Sequence, residues 1–350
     1  MNLKPFIEFA RDNFIPPKDL NEPYENGKRA VWIDLAKGIC VLFILLYHFD
    51  NESFSLPNMF ALRMPLFFVI SGMFFKDYGD YRAFLIKKTN NLLIPYLFCL
   101  VVSAGLIILS NLIGESRVGI ASDINLLHVN FPIWFLFCLF LANLIFYILH
   151  AGLKKWWLMA SVIGCAMIGT LFRYTDLWCP YMLDSALTAL PFLYFGFLLK
   201  KSALLCSRTV SLKTFCLGII LIGISLFFHF FLSSPEFYLS TNELSGNELL
   251  AYVNSFLIVT GTLMICKCIK WLPIVSYLGR YSIIVLCVQD LIYKCANNLI
   301  SIVHGHILSY NYYLVAFLIL SWLSIPVMRT IIPWFMAQKP LIRIKIPDCG

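Results

Sequence analysis

The feature that most constrains this chain is the recurrence of apolar runs about 20 residues long, the length an α-helix needs to cross a bilayer. Such runs lie near 31–49, 58–75, 92–113, 132–150, 156–172, 182–199, 212–232, 249–269, 278–299 and 311–335. Over 350 residues the sequence is 60% hydrophobic and only 13% charged, which is outside the range of a soluble globular domain. The mean hydropathy of +0.80 agrees. The pattern predicts an all-α polytopic membrane protein with about ten transmembrane helices.

The formal net charge of +8 could suggest nucleic acid, but the basic residues sit in short clusters between apolar runs rather than along one polar surface. They read as topology. Lys76, Arg82, Lys87 and Lys88, then Lys154 and Lys155, then Lys200, Lys201, Arg208 and Lys213, then Lys267, Lys270 and Arg280, and finally Lys339, Arg343 and Lys345 fall on one side. Arg63, Arg117, Arg173 and Lys294 fall on the other. The positive-inside rule then puts both termini in the cytoplasm. Residues 1–28 read as a cytoplasmic N-terminal arm, with a short amphipathic helix at Leu3 to Phe14 on the membrane surface. Residues 29–336 form the membrane domain and 337–350 a cytoplasmic tail. The loops around 114–130 and 233–248 supply a modest acidic outer surface. Most of the twelve cysteines lie inside apolar runs, no CxxC pair occurs, and no metal site is expected.

The first run carries ionisable residues that a membrane helix should avoid, namely Arg29, Asp34, Lys37 and His48. Lys37 and His48 are eleven residues apart, so they fall within roughly 20° of each other and about 16 Å apart along the axis. Asp34 lies on nearly the same face. Two readings are open. In one, Arg29 and Lys37 snorkel to headgroups, Asp34 pairs with Lys37, and His48 ends the span. In the other, His48 is a proton-transfer group on a cavity wall whose opposite end is basic and suited to an anionic cofactor.

Further candidates lie along the chain. Arg63 precedes Met64-Pro-Leu-Phe-Phe-Val-Ile-Ser-Gly72 and can stabilise negative charge or contact headgroups, while Ser71 can bind substrate or a neighbouring carbonyl. Lys87 and Lys88 can meet phosphates or anchor the span. Trp134 opens the fourth run at an interface. Asp290 and Lys294, at i,i+4 spacing, are expected to neutralise each other.

Taken together, Arg29-x4-Asp34-x2-Lys37-Gly38, the Lys37-x10-His48 spacing, MPLFFVISG, the basic residues before LLIPY, WFL at 134–136 and YLGRYS at 277–282 resemble the acyltransferase-3 family of integral membrane O-acyltransferases, and within it the fucose 4-O-acetylase-like group. The likeness covers residue 29 to about 335. It implies a bacterial inner-membrane enzyme that moves an acyl group, commonly acetyl, from acetyl-CoA or another acyl-CoA to a hydroxyl of a surface polysaccharide or lipid-linked glycan. It casts His48 as the essential histidine with Lys37 as its basic partner and Asp34 beside them. Arg29, Lys37, Lys87 and Lys88 would hold the donor, and Arg63, Ser71 and Trp134 the acceptor. Membrane lipids are the other partners, nucleic acid is not one, and a homo-oligomer is left open. Three departures stand out: Arg63 and Gln289 where many relatives carry histidine, and Asn90 and Asn91 where a third basic residue is expected. The competing classes are a glycan or lipid transporter, with Asp34, Lys37, Asp290 and Lys294 as coupling charges, and an inactive regulatory member of the fold.

Overall fold

The computed structural model describes residues 4–17, 20, 30–49, 56–76, 80–112, 131–175, 179–200, 202, 211–233, 235–302 and 310–343. A helix occupies each apolar run: α2 (Val31–Phe49), α3 (Met59–Met73), α5 (Ile94–Leu112), α6 (Trp134–Gly152), α7 (Lys155–Tyr174), α8 (Leu183–Leu199), α9 (Leu212–Phe231), α10 (Glu248–Ile269), α12 (Ser282–Ile302) and α13 (Tyr310–Ile331). Three shorter helices accompany them, α1 (Lys4–Phe14), α4 (Tyr81–Lys88) and α11 (Val275–Arg280). Among the described residues seven helical stretches are long and apolar enough to cross a membrane, and α3 and α8 are apolar but shorter. The chain is therefore a mostly helical, multi-pass membrane protein. One departure from an all-α fold is an antiparallel hairpin of β1 (Glu236–Tyr238) and β2 (Glu243–Ser245), which pairs Phe237 with Leu244 in the predicted outer loop.

Helix α2 is the hub, touching α3, α10, α11, α12 and α13. Its middle, through Cys40, Val41, Ile44 and Leu45, is fully buried. Peripheral α9, by contrast, is 11% buried and turns Ile220, Phe227, Phe230 and Phe231 outward, as lipid-facing helices do. Glycine sets the closest approach at the hub. A Cβ on Gly38 would lie 1.9 Å from the Val275 carbonyl oxygen, and one on Gly279 would lie 1.8 Å from that of Asp34. The backbones of α2 and α11 thus touch directly, and the glycines of the KG and YLGRYS motifs are there for packing. Gly72 of the MPLFFVISG motif meets α8 in the same way at the Leu193 carbonyl, and Gly196 answers at Val69. The turn that delivers α11 onto α2 is strained, with Lys270 at φ 69° and the β-branched Ile274 at φ 64°.

Pro95 shapes the next wall. It has no N–H for the carbonyl of Asn91, and a π-helical turn over Thr89–Leu93 separates α4 from α5. The turn aims Asn90 at the C-terminal segment, whose Leu341 and Ile342 amides donate to its Oδ1 at 2.9 Å, while its Nδ2 donates to the Ile342 carbonyl at 2.9 Å and to Ile86 at 3.0 Å. The N-terminal arm is also docked. Phe9 packs on Tyr277 and Trp322, and Trp322 Nε1 donates to Asn13 Oδ1 at 2.8 Å. Helix α1 forms at the expected place, and it belongs to the wall around α11 and α13.

Candidate active site

His48, in the last turn of α2, lines a cavity of about 250 Å³. Arg63, Trp134, Tyr47, Phe60 and Tyr238 line it with His48. Three residues picked from separate motifs, His48, Arg63 and Trp134, therefore share one chamber. Arg63 is held between rings, its guanidinium 4.2 Å from the centroids of both Tyr47 and Phe60. Tyr47 meets His48 edge to face at 5.5 Å, and Phe60 meets Tyr238 at 4.3 Å. Aromatic faces stabilise the cation without consuming its N–H donors. Arg63 is 4% exposed and its Nε has no hydrogen-bond partner among the described residues. An orphaned buried donor costs about 1–3 kcal/mol, which an anionic or carbonyl oxygen in the chamber would recover.

The hairpin forms the roof, contributing Phe237, Tyr238 and Glu243, and two polar clusters pin it. At its turn Asn242, at φ 54°, accepts from Thr188 Oγ1 at 2.9 Å and from Arg173 Nη2 at 3.2 Å and donates to the Gly169 carbonyl at 3.0 Å. At its base Asn254 Nδ2 donates to the Pro235 carbonyl and to Asn58 Oδ1, both at 3.0 Å. Asn58 in turn donates to Ser225 Oγ at 2.9 Å. Glu236 lies beneath, 3.4 Å from His229 Nδ1. Burial pushes its carboxyl above the ordinary 4.5, against the pull of His229 and, more weakly, Arg63. No local spacing in the sequence signals that Tyr238 would reach this chamber.

Lys37 and Asp34 lie at the other end of α2, in a cavity of about 570 Å³ with Asn91, Arg280, Tyr281 and Arg329. The two chambers share no lining residue, and Val41 and Ile44, on the stripe from Lys37 to His48, are buried between them. Asp34 and Lys37 are thus about 16–21 Å along the helix from His48 and do not join it in one constellation. Arg280 was legible in sequence only as a topology charge, and Arg329 was not singled out there. Their chamber exists because Gly38 and Gly279 let α11 close on α2.

Other predicted residues fall elsewhere. Arg29 lies outside the described residues. Lys87 is exposed and Lys88 lies over the Phe84 ring at 5.7 Å, and neither lines the Lys37 chamber. Ser71 donates to Asn143 Oδ1 at 3.0 Å within the helix packing and does not line the His48 chamber. Asp290 and Lys294 pair at 2.7 Å. Gln289 is 1% exposed, and neither its Oε1 nor its Nε2 has a hydrogen-bond partner among the described residues. Among the described residues no trio of His, Cys, Asp or Glu could hold a metal ion.

Comparison with known families matches a family model described as an acyltransferase domain to residues 30–328, most of the chain. No curated protein and no solved structure matches. The matched span starts at the N-terminal end of α2 and closes within α13, taking in the whole lining of the His48 chamber and, of the Lys37 chamber, all but Arg329, Ala337 and Gln338.

Proposed function

We propose, from the premise that the chain belongs to the acyltransferase-3 family, that it is an O-acyltransferase carrying acetyl or another acyl group from acyl-CoA to a glycan hydroxyl. The acceptor is a surface polysaccharide or lipid-linked glycan at a bacterial inner membrane, with the Lys37 chamber open to the cytoplasm and the His48 chamber toward the other face. The observation that carries this reading is the opposition of the two chambers on one helix: a basic one around Lys37, and one gathering His48, Arg63 and Trp134.

In this reading the phosphates of CoA rest in the basic chamber, and the pantetheine arm follows the α2 stripe, parting Val41 and Ile44, to bring the thioester to His48. His48 accepts the proton of the acceptor hydroxyl as its oxygen attacks the thioester carbonyl. The oxyanion forms facing Arg63, whose donors are preorganised by Tyr47 and Phe60. Collapse breaks the C–S bond, and the CoA sulfur leaves with the proton held by His48. Trp134, buried in the chamber wall, gives the sugar ring an aromatic face. The test is the acetyl content of surface polysaccharide in cells carrying wild type, His48→Ala or Lys37→Ala at equal protein level. Loss of acetylation in both variants is expected; unchanged acetylation with His48→Ala overturns the assignment.

A further inference from the structure

The Lys37 chamber has a charge arrangement, beyond Lys37 itself, to which the acyl-transfer reading above gives no residue-level role. Arg280 from the end of α11 and Arg329 from the last turn of α13 both lie against Tyr281, their guanidinium carbons 5.3 and 4.5 Å from its ring centroid. Both point a terminal nitrogen at the same carboxylate oxygen, Asp12 Oδ2 of α1, at 3.5 and 3.8 Å. Arg11 takes the other oxygen at 3.3 Å. We propose that Arg280 and Arg329 are the anion-binding residues of this chamber and that Asp12 is their exchangeable counter-ion, giving way when a phosphate-bearing ligand enters. The proposal rests on the reading that this chamber receives the acyl donor.

Three observations support exchange rather than a fixed structural pair. The separations of 3.5 and 3.8 Å are ion-pair distances beyond hydrogen-bonding range. The arginine side chains are 38% and 26% exposed, so water screens the attraction. Helix α1 also has other anchors, the Phe9 rings on Tyr277 and Trp322 and the Asn13–Trp322 hydrogen bond. The carboxylate can therefore swing away while α1 stays docked. A second cavity of about 280 Å³, lined by Arg11, Asp12, Tyr277 and Arg280, gives it room to do so. A phosphate offers more charge and more acceptor oxygens than one carboxylate, and guanidinium forks bind it with short, paired hydrogen bonds. Lys37 adds a third cation in the same chamber.

The experiment measures binding of acetyl-CoA and of inorganic pyrophosphate to the full-length protein in lipid nanodiscs, for wild type, Asp12→Asn, Arg280→Gln, Arg329→Gln and Asp12→Asn combined with both arginine changes. Thermal melting checks that each variant is folded. The expected result is a Kd about threefold to tenfold tighter for Asp12→Asn, and at least about tenfold weaker for either arginine variant, for both probes. In the combined variant the effect of Asp12→Asn should vanish, because its partners are gone. Acetyl-CoA binding that none of these changes moves overturns the proposal and leaves the donor reading standing. Pyrophosphate binding with the expected dependence, without competition by acetyl-CoA, supports the anion site and overturns the donor reading. Binding of neither probe by folded wild type overturns both.

Discussion

The guanidinium of Arg63 lies 4.2 Å from the ring centroid of Tyr47, the residue that precedes His48 on α2. The position where the family resemblance leads one to expect histidine thus holds a permanent cation, stacked and unable to act as a base. Arg63→Met removes charge and donors together and should slow acyl transfer roughly 10²-fold, the scale of losing one oxyanion donor. Arg63→Lys keeps the charge but loses the planar stacking and should fall between. The measurement is the transfer rate at matched protein level, with melting temperatures alongside. Equal rates for all three proteins would remove Arg63 from the chemistry.

Gly279 offers a sharper test of the fold. Alanine there places a Cβ 1.8 Å from the Asp34 carbonyl oxygen and 2.4 Å from the Gly38 amide nitrogen, so α11 must back away from α2. Overpacking of this kind costs typically about 1–3 kcal/mol and more where backbone meets backbone. Gly279→Ala should therefore melt well below wild type and loosen the Lys37 chamber. Gly105→Ala, with nothing within 4 Å of the added Cβ, should be neutral or slightly stabilising. Thermal melting of the two purified variants decides it.

These two cases mark what the sequence can and cannot reveal. Runs of apolar residues report helices because hydrophobic length is a local property, and each run does carry one. His48, Arg63 and Trp134 sit near the ends of their helices at one level, so counting positions along spans already brings them close. Arg280 and Arg329 are different, since they reach Lys37 only through tertiary packing of α11 and α13 on α2. Ser71 errs in the opposite direction. Its place on α3 suits a site, but the helix rotation turns it toward Asn143, and rotation depends on neighbours that a single segment does not encode. The roof was legible as a polar loop, while its hairpin register depends on Asn242 being gripped by residues more than fifty positions away.

Glu236 gives a pH dependence with a definite sign. Burial raises its carboxyl above the ordinary 4.5, so the folded state holds the proton more tightly than the unfolded chain does. The stability this contributes is fully present below pH 4.5 and is lost as pH rises through the raised value. Glu236→Gln keeps the shape and cannot ionise. Its melting temperature relative to wild type should therefore rise as pH increases across this window. A constant offset between the two curves counts against a buried, proton-linked Glu236.

Gln289 is a buried amide with neither end hydrogen-bonded among the described residues. One turn further along α12, Tyr293 meets Phe49 at the His48 end of α2, with ring centroids 6.3 Å apart. If the amide serves only the fold, Gln289→Leu should stabilise it by about 1–3 kcal/mol through removal of orphaned polar atoms. If it serves donor or acceptor, the same variant should gain stability and lose turnover. The expected outcome is the second, a melting temperature at or above wild type with a reduced transfer rate. Unimpaired turnover would restrict Gln289 to packing.

Asn90 and Asn91 stand where a third basic residue is expected, and the structure separates their roles. Asn90 is fully engaged in clasping Leu341 and Ile342, so an arginine there has to break four hydrogen bonds and push the C-terminal segment away. Asn91 lines the Lys37 chamber, so an arginine there enters it as an added cation. Asn91→Arg should lower the KM for acyl-CoA several-fold at low salt, with the gain shrinking as ionic strength shortens the Debye length to about 8 Å near 0.15 M. Asn90→Arg should not lower KM and should destabilise by about 2–4 kcal/mol, seen as earlier melting and faster proteolysis of the C-terminal segment. Steady-state kinetics at two salt concentrations separates the cases, because only the Asn91 change adds charge where the donor's phosphates would rest. A reversed pattern, with Asn90→Arg improving KM, would mean that the clasp opens in the working enzyme.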